Sequence, residues 1–142
     1  GLQGNTLVEA AVAELVSGGA LERHVRQVRR RQRERRDVLL AALAAELPPG
    51  FHAPTPAGGT SVWVTLPGVF DAEALDQEAR QRGVAYVRGD AFHLDGGGRE
   101  SLVLSFANLF PDQIRAGVER LGQAVRKVLA TAAPASRRRS RR

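Results

Sequence analysis

Residues able to do chemistry are few and scattered along these 142 positions. His24, His52 and His93 form no H-x-x-x-H or E-x-x-H pattern, so nothing spaces them to hold a metal ion on one helix face. They read as surface or core-edge residues. Nucleophilic catalysis has no better footing: the chain has no Cys and no G-x-S-x-G, and Ser61, Ser101 and Ser105 fall on strand-like segments. Lys127 is the only lysine, beside Arg126 on the polar side of a helical stripe, whereas a Schiff-base lysine needs a desolvated pocket. Gly96-Gly97-Gly98 lies between two β-type segments with no helix start and no Lys-Ser/Thr behind it. It reads as a hairpin-like connection rather than a phosphate cradle.

Arginine is the abundant reactive type. Eight lie between Arg23 and Arg36, interleaved with Glu22, Glu34 and Asp37 at helical spacings, which is the pattern of a solvated helix face rather than a nucleic-acid reader. Five more crowd the end, SRRRSRR. Without them 16 basic residues face 15 acidic ones, so the +6 formal charge belongs mainly to a tail.

The elements that must position these groups follow from periodicity. Thr6 to Val16 reads as a helix, with Leu7, Ala11 and Leu15 on one face and Asn5 as a cap. A second, from Leu21 to Leu47, is apolar at both ends but has no apolar residue in RRRQRERRD, residues 29–37. At about 40 Å for its length, it suits a strut joining two bodies. TSVWVTL (60–66) alternates as a strand. Asp71 caps a helix that Gly83 stops, Val84–Val87 reads as a short strand broken by Arg88-Gly89-Asp90, and SLVLSF (101–106) reads as another. Pro111 opens a last helix to about Ala130, with nothing supporting order from Pro134 onward. These elements imply an α+β fold: a small sheet of about three strands covered by helices, with a long connecting helix before it. The divisions expected are a helical segment at 1–47, a small domain at 48–132 and a disordered Arg-rich tail at 133–142. No apolar run is long enough to span a bilayer, and the absence of Cys is compatible with the cytoplasm. The start at Gly1 rather than Met points to a processed, truncated or excised piece.

Four segments taken in order, LERHVRQVRRRQRERRDVLLAAL (21–43), AGGTSVWVTLP (57–67), GVAYVRGDAF (83–92) and GGRESLVLSFANLFPDQIRAGVERLGQAV (97–125), resemble the C-terminal part of fold-type I, pyridoxal-phosphate-dependent aminotransferases. The branch they resemble holds the 2-aminoadipate and aromatic aminotransferases and the aminotransferase-like domains of MocR-type regulators. The resemblance implies that the long helix joins a large cofactor domain to this small one. It also implies that the catalytic lysine and the phosphate loop come from upstream, so the chain is catalytically incomplete and expected to bind no cofactor alone. The family's carboxylate-binding Arg aligns with Val103, which cannot bind a carboxylate; Arg99, four residues earlier, is a possible substitute. Gln32 and Arg88 are milder departures. The implied function is amino transfer between an amino acid and a 2-oxo acid in the parent. The alternatives are a sensor domain of a MocR/GntR-type regulator or a non-catalytic interaction module with an Arg-rich helix. Expected partners are the large domain, a homodimer mate and, for the isolated chain, itself. Nucleic acid and membrane are not expected.

Overall fold

The computed structural model describes residue 12, residues 18–89 and residues 100–140, with side chains through 132. Along them run α1 (Ala20–Glu46), β1 (Ser61–Thr65), α2 (Ala72–Gln81), β2 (Val87–Gly89), β3 (Ser101–Ser105) and α3 (Pro111–Ser140). The expected first helix, Thr6–Val16, lies outside the described residues except for Val12, which is helical. So do the expected glycine connection at 96–98, Arg99 and His93.

The chain divides into two compact units, residues 1–34 and 35–142, and the division falls inside α1. In the first unit the described part of α1 is exposed along most of its length, with Leu21 and Val25 each 40% open to solvent. Two of its arginines have local partners: Arg23 donates to the Gly18 carbonyl at 3.0 Å, and Arg26 pairs with Glu22 at 3.9 Å. Such exposed pairs contribute little to stability.

The second unit holds the core. From Leu39 onward α1 turns apolar, and Leu39 and Leu43 are buried among residues of the sheet and α3. Residues 35–46 of the expected connecting helix therefore belong to this unit. The sheet is antiparallel in the order β1-β3-β2, so the last strand in sequence is central. Alternation sends Val62, Val64, Leu102 and Leu104 inward, with Leu66 and Phe106 following on the same side. They meet Leu75 of α2 and Ile114, Val118, Leu121 and Val125 of α3. Burying each large side chain of this set stabilises the fold by about 1.5–3 kcal/mol.

The helix ends carry the expected signals. Asp71 accepts from the Ala74 N–H at 3.0 Å as the N-cap of α2. At the other end Gly83, with φ 72°, lets its own N–H reach the Arg80 carbonyl and the Val84 N–H reach Ala79 at 2.9 Å. That is a Schellman closure, and the positive φ is why a glycine stands there. At α3, Pro111 takes the first helical position and the Gln113 side chain accepts from the Phe110 N–H at 2.8 Å. The helix is longer than the pattern implied, running to Ser140 rather than ending near Ala130.

One strand differs from its sequence reading. The apolar run Val84–Val87 suggested a strand there, but pairing with β3 covers Val87–Gly89. Val84 spends its N–H on closing α2, so the ladder begins only three residues later. Ahead of β1 the chain makes one antiparallel bridge, His52 to Thr65, with both N–H groups donating across it at 3.0 and 2.7 Å. In that register the next ladder positions are Pro54 and Pro56, which have no N–H to give, so the bridge stays single.

Candidate functional site

The residues singled out by type resolve into three places. Val103 lies at the middle of the central strand, opposite Trp63 on β1 and Val87 on β2. Alternation turns it away from the core, and it is half-buried. Trp63 and Val87 share that outward side and are 48% and 68% exposed. The remaining outward positions are Ser61 and Thr65 on β1, Ser101 and Ser105 on β3, and Gly89 on β2. The Trp63 indole reaches past β3 to lie over Gly89. A Cβ on Gly89 would sit 2.7 Å from its Cζ3 and 3.3 Å from the Ser101 Cβ. Real Cβ contacts are longer than that, so glycine at 89 is what lets the indole lie down.

Behind that face, at the β2 edge, is a polar cluster that sequence spacing did not disclose. Arg88 alternates to the inner side, where it pairs with Asp76 of α2 at 3.0 Å and with Glu100. The Tyr86 hydroxyl donates to the other Asp76 oxygen at 2.7 Å. Burial, and then this hydrogen bond to the carboxylate, hold the Tyr86 phenol well above its ordinary range. The bond to Asp76 likewise raises the Arg88 guanidinium above its usual value. Asp76 thus ties α2 to the start of β2 through two side chains at once, Tyr86 just before the strand and Arg88 within it. Its partners lie 10 and 12 residues away, beyond any local helical spacing.

The third place is Arg35. The sequence groups it with a solvated Arg face, but its Nε donates to the Leu109 carbonyl and its guanidinium stands 5.9 Å from the Phe110 ring centroid. It therefore clamps the turn between β3 and α3, where Asn108 takes a left-handed φ of 60°. Beside it opens a cleft of about 260 Å³ lined by Leu39, Val84, Leu104, Phe106, Ile114 and Gln113 among others, with no ionisable group in its wall. Lys127 and His52 are exposed and make no shared constellation, and no group of three or more His, Cys, Asp or Glu able to hold a metal occurs among the described residues. No helix among them is long and apolar enough to cross a membrane.

The described residues do not fit pyridoxal phosphate. Lys127 sits in the open on α3, where nothing desolvates its amine, and the outward sheet face carries no cation for a phosphate.

Comparison with known proteins places this geometry. Residues 2–121 match the model of the aminotransferase class I and II family. The chain is 40% identical over 124 residues to a 2-aminoadipate transaminase of Thermus thermophilus, covering 87% of this chain and 31% of that protein. It is 32% identical to an aromatic-amino-acid aminotransferase of Thermococcus litoralis, covering 87% of this chain and 30% of the other. A crystal structure of the Thermus α-aminoadipate aminotransferase, complexed with N-(5'-phosphopyridoxyl)-L-leucine, superposes with a TM-score of 0.69 at 41% identity, over 84% of this chain and 31% of that one. Two HTH-type transcriptional regulators of Bacillus subtilis also match, at 24% and 28% identity. The chain spans under a third of the length of the relatives named first. With the long helix, the three-stranded sheet, α2 and the first part of α3 falling within the matched residues, the chain belongs to the class I and II aminotransferase family.

Proposed function

We propose that this chain is the C-terminal part of a pyridoxal-phosphate-dependent aminotransferase, carrying the small domain and lacking the lysine that would hold the cofactor. In the parent, the cofactor supplies the electron sink for amino transfer between an amino acid and a 2-oxo acid. The observation that carries this reading is the family match over residues 2–121 combined with a sole lysine, Lys127, that is exposed on α3. What the chain contributes is shape. The buried face of its sheet fixes β3, and β3 presents the outward face around Val103 to whatever lies over it.

The test is to mix the purified chain with pyridoxal phosphate, follow the visible absorbance and reduce with borohydride. Only substoichiometric labelling of Lys127 is expected. One stoichiometrically trapped lysine would overturn the claim of incompleteness. A parent partnered by its large domain and a second copy would leave apolar surface on the isolated chain, and the 40% exposure of Leu21 and Val25 supports that. Self-association in sedimentation is the expected result, and a strict monomer at high concentration counts against it.

A second reading, a sensor domain of a regulator, is favoured by one observation: valine at 103, where the resemblance implies a carboxylate-binding arginine. A parent that binds an amino compound without transferring its amino group would support it.

A further inference from the structure

Helix α3 faces the core with a stripe of buried side chains, Ile114, Val118, Leu121 and Val125. Gly117 falls within that stripe, three residues after Ile114 and four before Leu121, where helical spacing calls for an apolar side chain. It is half-buried, and a Cβ built on it would meet no heavy atom within 4 Å beyond its own helical turn. Gly122, further along the same helix, shows the usual reason for a helical glycine. A Cβ there would come 2.9 Å from Oε2 and 3.1 Å from Cβ of Glu46 on α1. No described residue gives Gly117 such a reason, although glycine inside a helix is less stable than alanine. What Gly117 does line is the cleft of about 260 Å³, together with Leu39, Val84, Leu104 and Phe106, and no ionisable group stands in that wall.

Resting on the aminotransferase reading above, we propose that a segment of the parent outside these 142 residues crosses α3 at Gly117 and seats one uncharged, apolar side chain in the cleft. Glycine admits a crossing backbone to a distance at which any Cβ would hold it off. The wall selects the side chain: an aliphatic or phenyl group gains by burial there, whereas a charged one would lose water and find no partner. Relatives of this chain have room for such a segment, since it covers only 31% and 30% of the two transaminases named above.

The experiment compares the chain alone with the full-length parent loaded with pyridoxal phosphate. The chain has no cysteine, so Gly117→Cys gives it a single thiol, whose maleimide labelling is followed on the peptide by mass spectrometry. Labelling is expected to be fast in the chain and about 100-fold slower in the parent, where the crossing segment has to open first. Gly117→Ala supplies a second readout, of opposite sign in the two proteins. It should raise the unfolding midpoint of the chain alone by about 3–6 °C through helix propensity. In the parent it should lower the midpoint, because the new methyl holds the segment off. Equal labelling in both proteins, or a midpoint raised in both, overturns the inference; if the parent still binds pyridoxal phosphate at one lysine, the aminotransferase reading stands. Slow labelling in the chain alone also overturns it, since the occupant would then be the chain itself or a second copy. A parent that binds no pyridoxal phosphate overturns the underlying reading, and the inference with it.

Discussion

The two faces of the three-stranded sheet are written in the same alternating code but have different fates. Inward, Val62, Val64, Leu102 and Leu104 are nearly sealed from solvent by α1, α2 and α3. Outward, Trp63, Val87 and Val103 are also apolar, yet Trp63 and Val87 stand about half or more exposed. A strand with apolar residues on both sides is normally buried on both. The inner face is apolar for stability. The outer face gains little for the fold from being apolar, which is why its composition points to a ligand or a covering body rather than to the core.

Substitutions can break that contrast in order of size. Phe106→Ala, which empties a site 1% exposed at the end of the inner row, should cost about 3–5 kcal/mol in denaturant unfolding. Gly89→Ala should cost about 1–3 kcal/mol, because the new methyl displaces the indole; the emission of the chain's single tryptophan should shift as it moves into water. The Asp76 cluster stabilises the same edge, and Tyr86 gives it a pH signature. Its phenol is raised in the fold from an ordinary 10, so its contribution is complete below pH 10 and is lost as pH rises above that, when only the unfolded chain ionises. Alkaline stability curves should therefore fall above pH 10, and Tyr86→Phe should flatten them. As Tyr86 is the only tyrosine, phenolate absorbance reads the change directly. Val103→Arg on the outer face should leave stability within about 0.5 kcal/mol of the native chain. If it instead unfolds the protein, the two faces are not as different as their exposures say.

Much of this was legible beforehand, for local reasons. The caps at Asp71 and Gly83, the proline opening α3 and the alternation of β1 and β3 are set by residues within five positions of one another, and the structure places them where the pattern did. What escaped the sequence acts at a distance. The Val84–Val87 run looks like a strand, but helix closure consumes its first residue. Arg88 reads as part of a turn until Asp76 and Glu100 pull it behind the sheet. Arg35 reads as one more solvated charge until the β3–α3 turn arrives beneath it. The importance of Gly89 was invisible because its neighbour in space, Trp63, is on another strand. The centrality of Val103 came from resemblance rather than from periodicity, which would have treated it as one more strand valine.

The lone bridge between His52 and Thr65 has a consequence for handling this protein in solution. An open sheet offers each unpaired edge as a template for another chain. On the β1 side, prolines at 54 and 56 follow the bridge and can donate nothing to a growing ladder, and on the β2 side the rim among the described residues is three residues long. Fibre growth by edge-to-edge stacking is thus starved on the β1 side of the sheet.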